Sequence, residues 1–145
     1  MKIDFYIMEK ANHQQALLMA CQLIETAYQE NQNVHVQASS REEAERFDEL
    51  LWTFRDDSFV PHEIISTTHD FSAPIRIGYS AQISQPVNQP AEVLINLSRE
   101  IPSFYTQFEQ IIEIVFSDPT VQQLARERYR QYRDQGYEIT THKIN

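Results

Sequence analysis

The fold is decided by residues 1–51, MKIDFYIMEKANHQQALLMACQLIETAYQENQNVHVQASSREEAERFDELL. Ile3-Asp4-Phe5-Tyr6-Ile7-Met8 is rich in aromatic and β-branched residues, the composition of a strand. From His13 to Tyr28 the residues Ala16, Leu17, Ala20, Leu23, Ile24 and Ala27 recur at helical spacing and share one face. Val34-His35-Val36-Gln37-Ala38 reads as a second strand. Ser40 followed by Glu43 has the form of a capping box, and it opens a helix to about Leu51 with Ala44, Phe47, Leu50 and Leu51 inward. Strand, helix, strand, helix is the order of a parallel sheet, because parallel neighbours need a crossover between them. The expected fold is therefore α/β, with a mostly parallel sheet and helices on both faces.

Outward from that stretch the pattern continues with one break. Between Trp52 and Pro61 neither period fits, since Trp52, Phe54, Phe59 and Val60 are separated by Arg55, Asp56, Asp57 and Ser58. A loop is expected there, either a flap over the core or an exposed patch. Ile64-Ile65 suggests a short strand or loop edge, and Ile75-Arg76-Ile77-Gly78-Tyr79 a strand. Ser84 to Pro90 reads as a surface loop. Glu92 to Leu97 is nearly continuous apolar, as an interior strand would be. Pro102 opens a short helix carrying Phe104, Tyr105 and Phe108. The β-branched density of Gln110 to Phe116 favours a strand, and Tyr137 to Lys143 is a terminal strand candidate. Without repeats or linkers, residues 1–145 read as one domain.

Composition narrows the chemistry. The chain has only two glycines, Gly78 and Gly136, and the turn after the first strand, Glu9-Lys10-Ala11-Asn12, has none. A nucleotide-binding sheet needs glycine at that turn so that backbone can approach phosphate. The nucleotide-binding glycine loop is thus missing, and no cofactor is expected. His13, His35, His62, His69 and His142 are scattered, with His69-Asp70 the one tight His/Asp pair, so no metal site is expected. Cys21 lies inside an apolar helical face and reads as a small core residue; a lone cysteine fits a reducing cytoplasm. No signal-peptide pattern opens the chain and no apolar run is long enough to cross a bilayer, so neither catalysis nor a membrane role is expected.

Charge supplies the positive signal. Lys+Arg number 12 against 21 Asp+Glu, for a net charge of -9, yet Arg126, Arg128, Arg130 and Arg133 fall within one short stretch. Asp118 is a suitable N-cap, Pro119 suits the first helical position, and Gly136 suits the left-handed residue past a helix end. On the helix between them Gln122, Arg126, Tyr129, Arg130 and Arg133 share one side, and Val121, Leu124, Ala125 and Tyr132 the buried one. Arg128 points to the apolar side, where it would snorkel or pair with a buried carboxylate. A basic strip on an acidic protein suits a short acidic peptide better than nucleic acid, whose phosphates the overall field repels. The plain alternative is a solvated helix face.

Leu50-Leu51-Trp52, Ser58-Phe59-Val60-Pro61-His62 and Gln123-Leu124-Ala125-Arg126-Glu127-Arg128-Tyr129-Arg130-Gln131-Tyr132-Arg133 together resemble the chi subunit family of bacterial DNA polymerase III. The resemblance covers essentially the whole chain. It implies a Rossmann-like fold and a non-enzymatic clamp-loader accessory in DNA replication. Two partners follow: the psi subunit, and the acidic C-terminal tail of single-stranded-DNA-binding protein with its Pro-Phe-like tip. The family's tail site maps onto Arg126, Tyr129 and Arg130, with Gln122 where a lysine is usual. Its psi-facing surface maps onto Trp52 and Phe59, and onto Arg133. No direct tight nucleic-acid binding is implied. The alternatives are a degenerate nucleotide-binding or nuclease-like domain and a direct nucleic-acid binder.

Overall fold

The computed structural model describes residues 1–55, 59–65, 73–79 and 91–144. The His69-Asp70 pair, the Ser84–Pro90 loop and residues 56–58 of the aromatic segment lie outside them. Among the described residues seven strands form one sheet: β1 (Lys2–Met8), β2 (Val34–Gln37), β3 (His62–Ile64), β4 (Ile75–Gly78), β5 (Val93–Asn96), β6 (Gln110–Val115) and β7 (Glu138–Ile144). Their order is β3-β4-β2-β5-β6-β1-β7, and every pairing is parallel. The sheet is thus wholly rather than mostly parallel, and β3 and β7 are its edges.

Helices cover both faces. Val34, Val36, Ile75, Ile77, Val93, Ile95, Ile112 and Ile114 pack against α1 (His13–Gln29) and α2 (Arg41–Thr53) through Ala20, Ile24, Ala44 and Phe47. The alternate residues Ile3, Phe5, Leu94, Ile111 and Val115 meet Ala125 and Tyr132 of α3 (Pro119–Asp134) on the other side. Strand side chains alternate between the two covered faces, so an interior strand such as β5 can be apolar on both and reads as a nearly continuous apolar run.

The helix ends follow from their residues. Asn12 and Gln15 form a full capping box at α1. At α2 the box is incomplete. Ser40 accepts from the Glu43 amide at 3.2 Å, but Glu43 returns its bond to the amide of Ser39 instead. Asp118 caps α3 by accepting from the amides of Thr120 and Val121 at 2.9 and 3.0 Å. Gly136, at φ 86°, ends it in the left-handed region.

Two expectations are corrected. Trp52 and Thr53 belong to α2 rather than to the loop. The helix runs on because Thr53 Oγ1 donates to the Glu49 carbonyl and the Phe54 amide to the Leu50 carbonyl, so the last turn satisfies itself. The helix after Pro102 is a single 3-10 turn, Tyr105–Gln107. Phe104 and Phe108 flank it and are buried against His35, so packing ends the turn before it can lengthen.

Candidate protein-interaction surfaces

The arginine helix is held by a buried carboxylate. Glu113 on β6 is fully buried, and its Oε1 accepts from Arg128 Nε at 3.0 Å. Its Oε2 accepts from Tyr132 OH at 2.8 Å and from Asn96 Nδ2 at 3.0 Å. Arg128 also donates to the Arg99 carbonyl at 2.9 Å. Asn96 and Glu113 are register partners, and Phe5 is the next residue across the sheet. Burial raises the Glu113 carboxyl above its usual range, while the Arg128 charge and the hydrogen bonds donated by Asn96, Tyr132 and Arg128 pull the other way. Burial likewise raises the Tyr132 phenol. This network fixes the rotation of α3 about its axis, because Arg128 and Tyr132 both reach the same carboxylate.

With Arg128 and Tyr132 inward, the opposite flank of α3 is set. Gln122, Arg126, Tyr129, Arg130 and Arg133 line a groove of about 410 Å³ together with Phe5, Ile7, Met8, Val115 and Phe116. Tyr129 is half-buried, its ring edge-on to Phe5 at 5.4 Å, so it forms floor as well as wall. Arg126, Arg130 and Arg133 are exposed. Arg126 and Arg130 make no ion pair among the described residues, and Arg133 has only its neighbour Asp134 at 3.8 Å. Elsewhere Arg41, Arg46, Arg55 and Arg128 each pair with a glutamate. An apolar floor beneath unpaired guanidinium groups can take a chain with an apolar side chain beside carboxylates.

The second surface sits on the far edge. Trp52 at the end of α2 is 52% exposed and Phe59 64%, and apart from Met1 they are the exposed large hydrophobics among the described residues. Their rings lie 5.4 Å apart, and Trp52 also rests 4.7 Å from the ring of His62. His62 is held by the carbonyls of Val60 and Asp48 at 2.6 and 3.1 Å. The patch therefore stands on a fixed base beside β3, the edge opposite β7. Core packing is not the role of these two rings.

Arg133 does not join them. α2 packs on β3 and β4, whereas α3 packs on β6 and β7 across the opposite face. The structure instead brings Arg133 together with Arg126 and Arg130 at the groove. Sequence reasoning missed the groove floor, the partner of Arg128, and a buried cluster on β2 and β4. A single glutamate inside Ile-Ile-Glu-Ile-Val was the signal for Glu113, since a charge in a buried strand needs a partner. In the buried cluster Arg76 and His35 are register neighbours. Burial pushes His35 down to about 4, with the nearby Arg76 charge acting the same way against its bond to Gln37. Cys21 is buried, and burial pushes its thiol up to about 12, away from nucleophilic reactivity. Among the described residues no group of three or more His, Cys, Asp or Glu is placed to hold a metal, and no helix is long and apolar enough to cross a membrane.

Fold and surfaces define an all-parallel α/β domain that presents an exposed aromatic patch at one sheet edge and a guanidinium-lined groove toward the other. The family described as DNA polymerase III chi subunit, HolC, matches residues 1–140. The chain belongs to that family. It is 32% identical over 143 residues to the DNA polymerase III subunit chi of Pseudomonas aeruginosa, covering 99% of this chain and 96% of that protein. Subunit chi of Haemophilus influenzae is also 32% identical, over 97% of this chain and 96% of its own length. That of Escherichia coli is 28% identical over 85% of this chain and 82% of its own length. In fold the domain is similar to the crystal structure of T4 UvsW, with a TM-score of 0.70 at 9% identity. That likeness covers 99% of this chain but 41% of the UvsW chain.

Proposed function

We propose that this chain is a non-catalytic accessory subunit of the replicative polymerase's clamp loader. It bridges a psi subunit to the acidic C-terminal tail of single-stranded-DNA-binding protein. In this reading the tail lies in the groove of α3. Arg126 and Arg130 grip its carboxylates, Gln122 donates a neutral hydrogen bond, and Tyr129 packs beside its apolar tip. Trp52 and Phe59 seat the psi subunit at the far edge. Arg133 serves the groove rather than the psi surface.

The observation that carries the reading is the groove itself, which keeps guanidinium groups unpaired over an apolar floor in a protein of net charge -9. The test is titration of an Asp-rich peptide ending in Pro-Phe into wild type and Arg126→Ala. A charge-assisted bond lost from a partly desolvated site is worth about 1.5–3 kcal/mol, so affinity falls about tenfold to a hundredfold. Added salt weakens wild-type binding by screening. Equal affinity of the two proteins returns the strip to a solvated helix face.

A further inference from the structure

The groove has a second flank. Lys143 of β7 pairs in register with Ile7, and Thr141 with Phe5. In-register neighbours of adjacent strands project to the same face about 4.8 Å apart. Ile7 and Phe5 line the groove, so Thr141 and Lys143 extend the same surface outward to the sheet edge. Both are exposed. Lys143 makes no ion pair among the described residues, a property it shares with Arg126 and Arg130.

Its height along the groove follows from topology. α3 starts just after the C-terminal end of β6 and returns to the N-terminal end of β7. Gln122, in the first turns of α3, therefore lies at the C-terminal end of the strands, and Arg133 toward the N-terminal end. Ile7 and Lys143 are at the C-terminal ends of β1 and β7. At this end the α3 flank offers the uncharged Gln122, and Glu9, which also lines the groove, is acidic. Arg126 is then the first cation on that flank. A ligand carboxylate over Ile7 would meet its second cation from β7, since Lys10, the other cation near this end, lies in the turn beyond β1 and does not line the groove.

We infer that Lys143 is a peptide-binding residue of this groove, and that the acidic ligand is held between α3 and β7 rather than against α3 alone. The inference rests on the acidic-tail reading above. The groove would then select a chain carrying carboxylates along both sides of an apolar residue. It would discriminate against an apolar peptide with a single acidic group.

The experiment titrates the Asp-rich peptide ending in Pro-Phe into full-length wild type, Lys143→Gln, Lys143→Glu, Lys2→Gln and Arg126→Ala, at low and high salt. Lys2 is an equal charge on β1 at the other end of the sheet, so Lys2→Gln reports the change in overall field alone. Lys143→Gln should weaken binding about twofold to fivefold at low salt and less at high salt, as an exposed ion pair does. Lys143→Glu should weaken it further, and Lys2→Gln should match wild type. Lys143→Gln matching Lys2→Gln, while Arg126→Ala binds poorly, overturns the β7 contact alone. Arg126→Ala matching wild type overturns the tail reading as well. Melting temperatures of all variants near wild type show that the fold is not the cause.

Discussion

Each exposed aromatic residue has a stability signature that separates it from the core. Phe59 is mostly exposed and touches chiefly Trp52, so Phe59→Ala should change unfolding free energy by no more than about 0.5 kcal/mol, as a surface substitution does. A loss of about 3–5 kcal/mol in urea titration would place it in the core instead. His35 makes the opposite case. Its Nε2 lies 2.9 Å from Gln37 Oε1, an amide oxygen that can only accept, its Nδ1 has no partner among the described residues, and the ring is enclosed by Phe104 and Phe108. Its folded value of about 4 lies below the unfolded value near 6.5, so the unfolded chain binds the extra proton. His35 therefore contributes stability that is present above about pH 6.5 and lost as pH falls toward 4. Between pH 7 and pH 5 that loss is about 2 kcal/mol. Unfolding curves across this range should show a shallower acid dependence for His35→Asn than for wild type. Identical slopes would mean that His35 protonates freely in the folded state.

At the scale of the element, α3 is legible in its ends and faces but not in its mounting. Asp118, Pro119 and Gly136 mark its limits through local chemistry, and each acts as its residue type requires. Arg128 was readable as an inward arginine because helical spacing puts it on the apolar side. Its partner was not, because Glu113 comes from a strand 15 residues earlier and only the register of β5, β6 and α3 brings them together. Removing one member of a buried pair strands the other, at a cost of about 3–5 kcal/mol. Arg128→Ala should therefore destabilise far more than Arg126→Ala, and a Glu113→Leu, Arg128→Met double variant should recover much of the difference. Chemical denaturation of the four proteins checks this. Equal stability of Arg128→Ala and Arg126→Ala would mean that Glu113 does not hold the helix. The α2 boundary is hidden for a related reason: Trp52 sits outside the apolar stripe, and only the backbone bonding of the last turn shows that this exposed aromatic is helical.

For the whole molecule, the first 51 residues were enough for the class of fold, since alternating strand and helix patterns permit few topologies. The strand order was not readable, because β1 lies beside β6 and β7 through contacts far apart in sequence. The resemblance groups Arg133 with Trp52 and Phe59, but resemblance carries no distance: the sheet sets Trp52 beside the β3 edge and Arg133 at the groove of α3, toward the other edge. The proposed function depends on that separation, because a bridge needs two sites that can be filled independently. The most direct measurement is calorimetric titration of the psi subunit and of the Asp-rich Pro-Phe peptide into wild type, Phe59→Ala and Arg126→Ala, each ligand alone and with the other saturating. Phe59→Ala should weaken psi binding by at least about tenfold and leave the peptide unchanged, as for truncation of a hot-spot residue. Arg126→Ala should do the reverse, and in wild type each ligand should bind equally well with or without the other. A substitution that weakens both ligands, or competition between them, would contradict the account by showing a single shared surface.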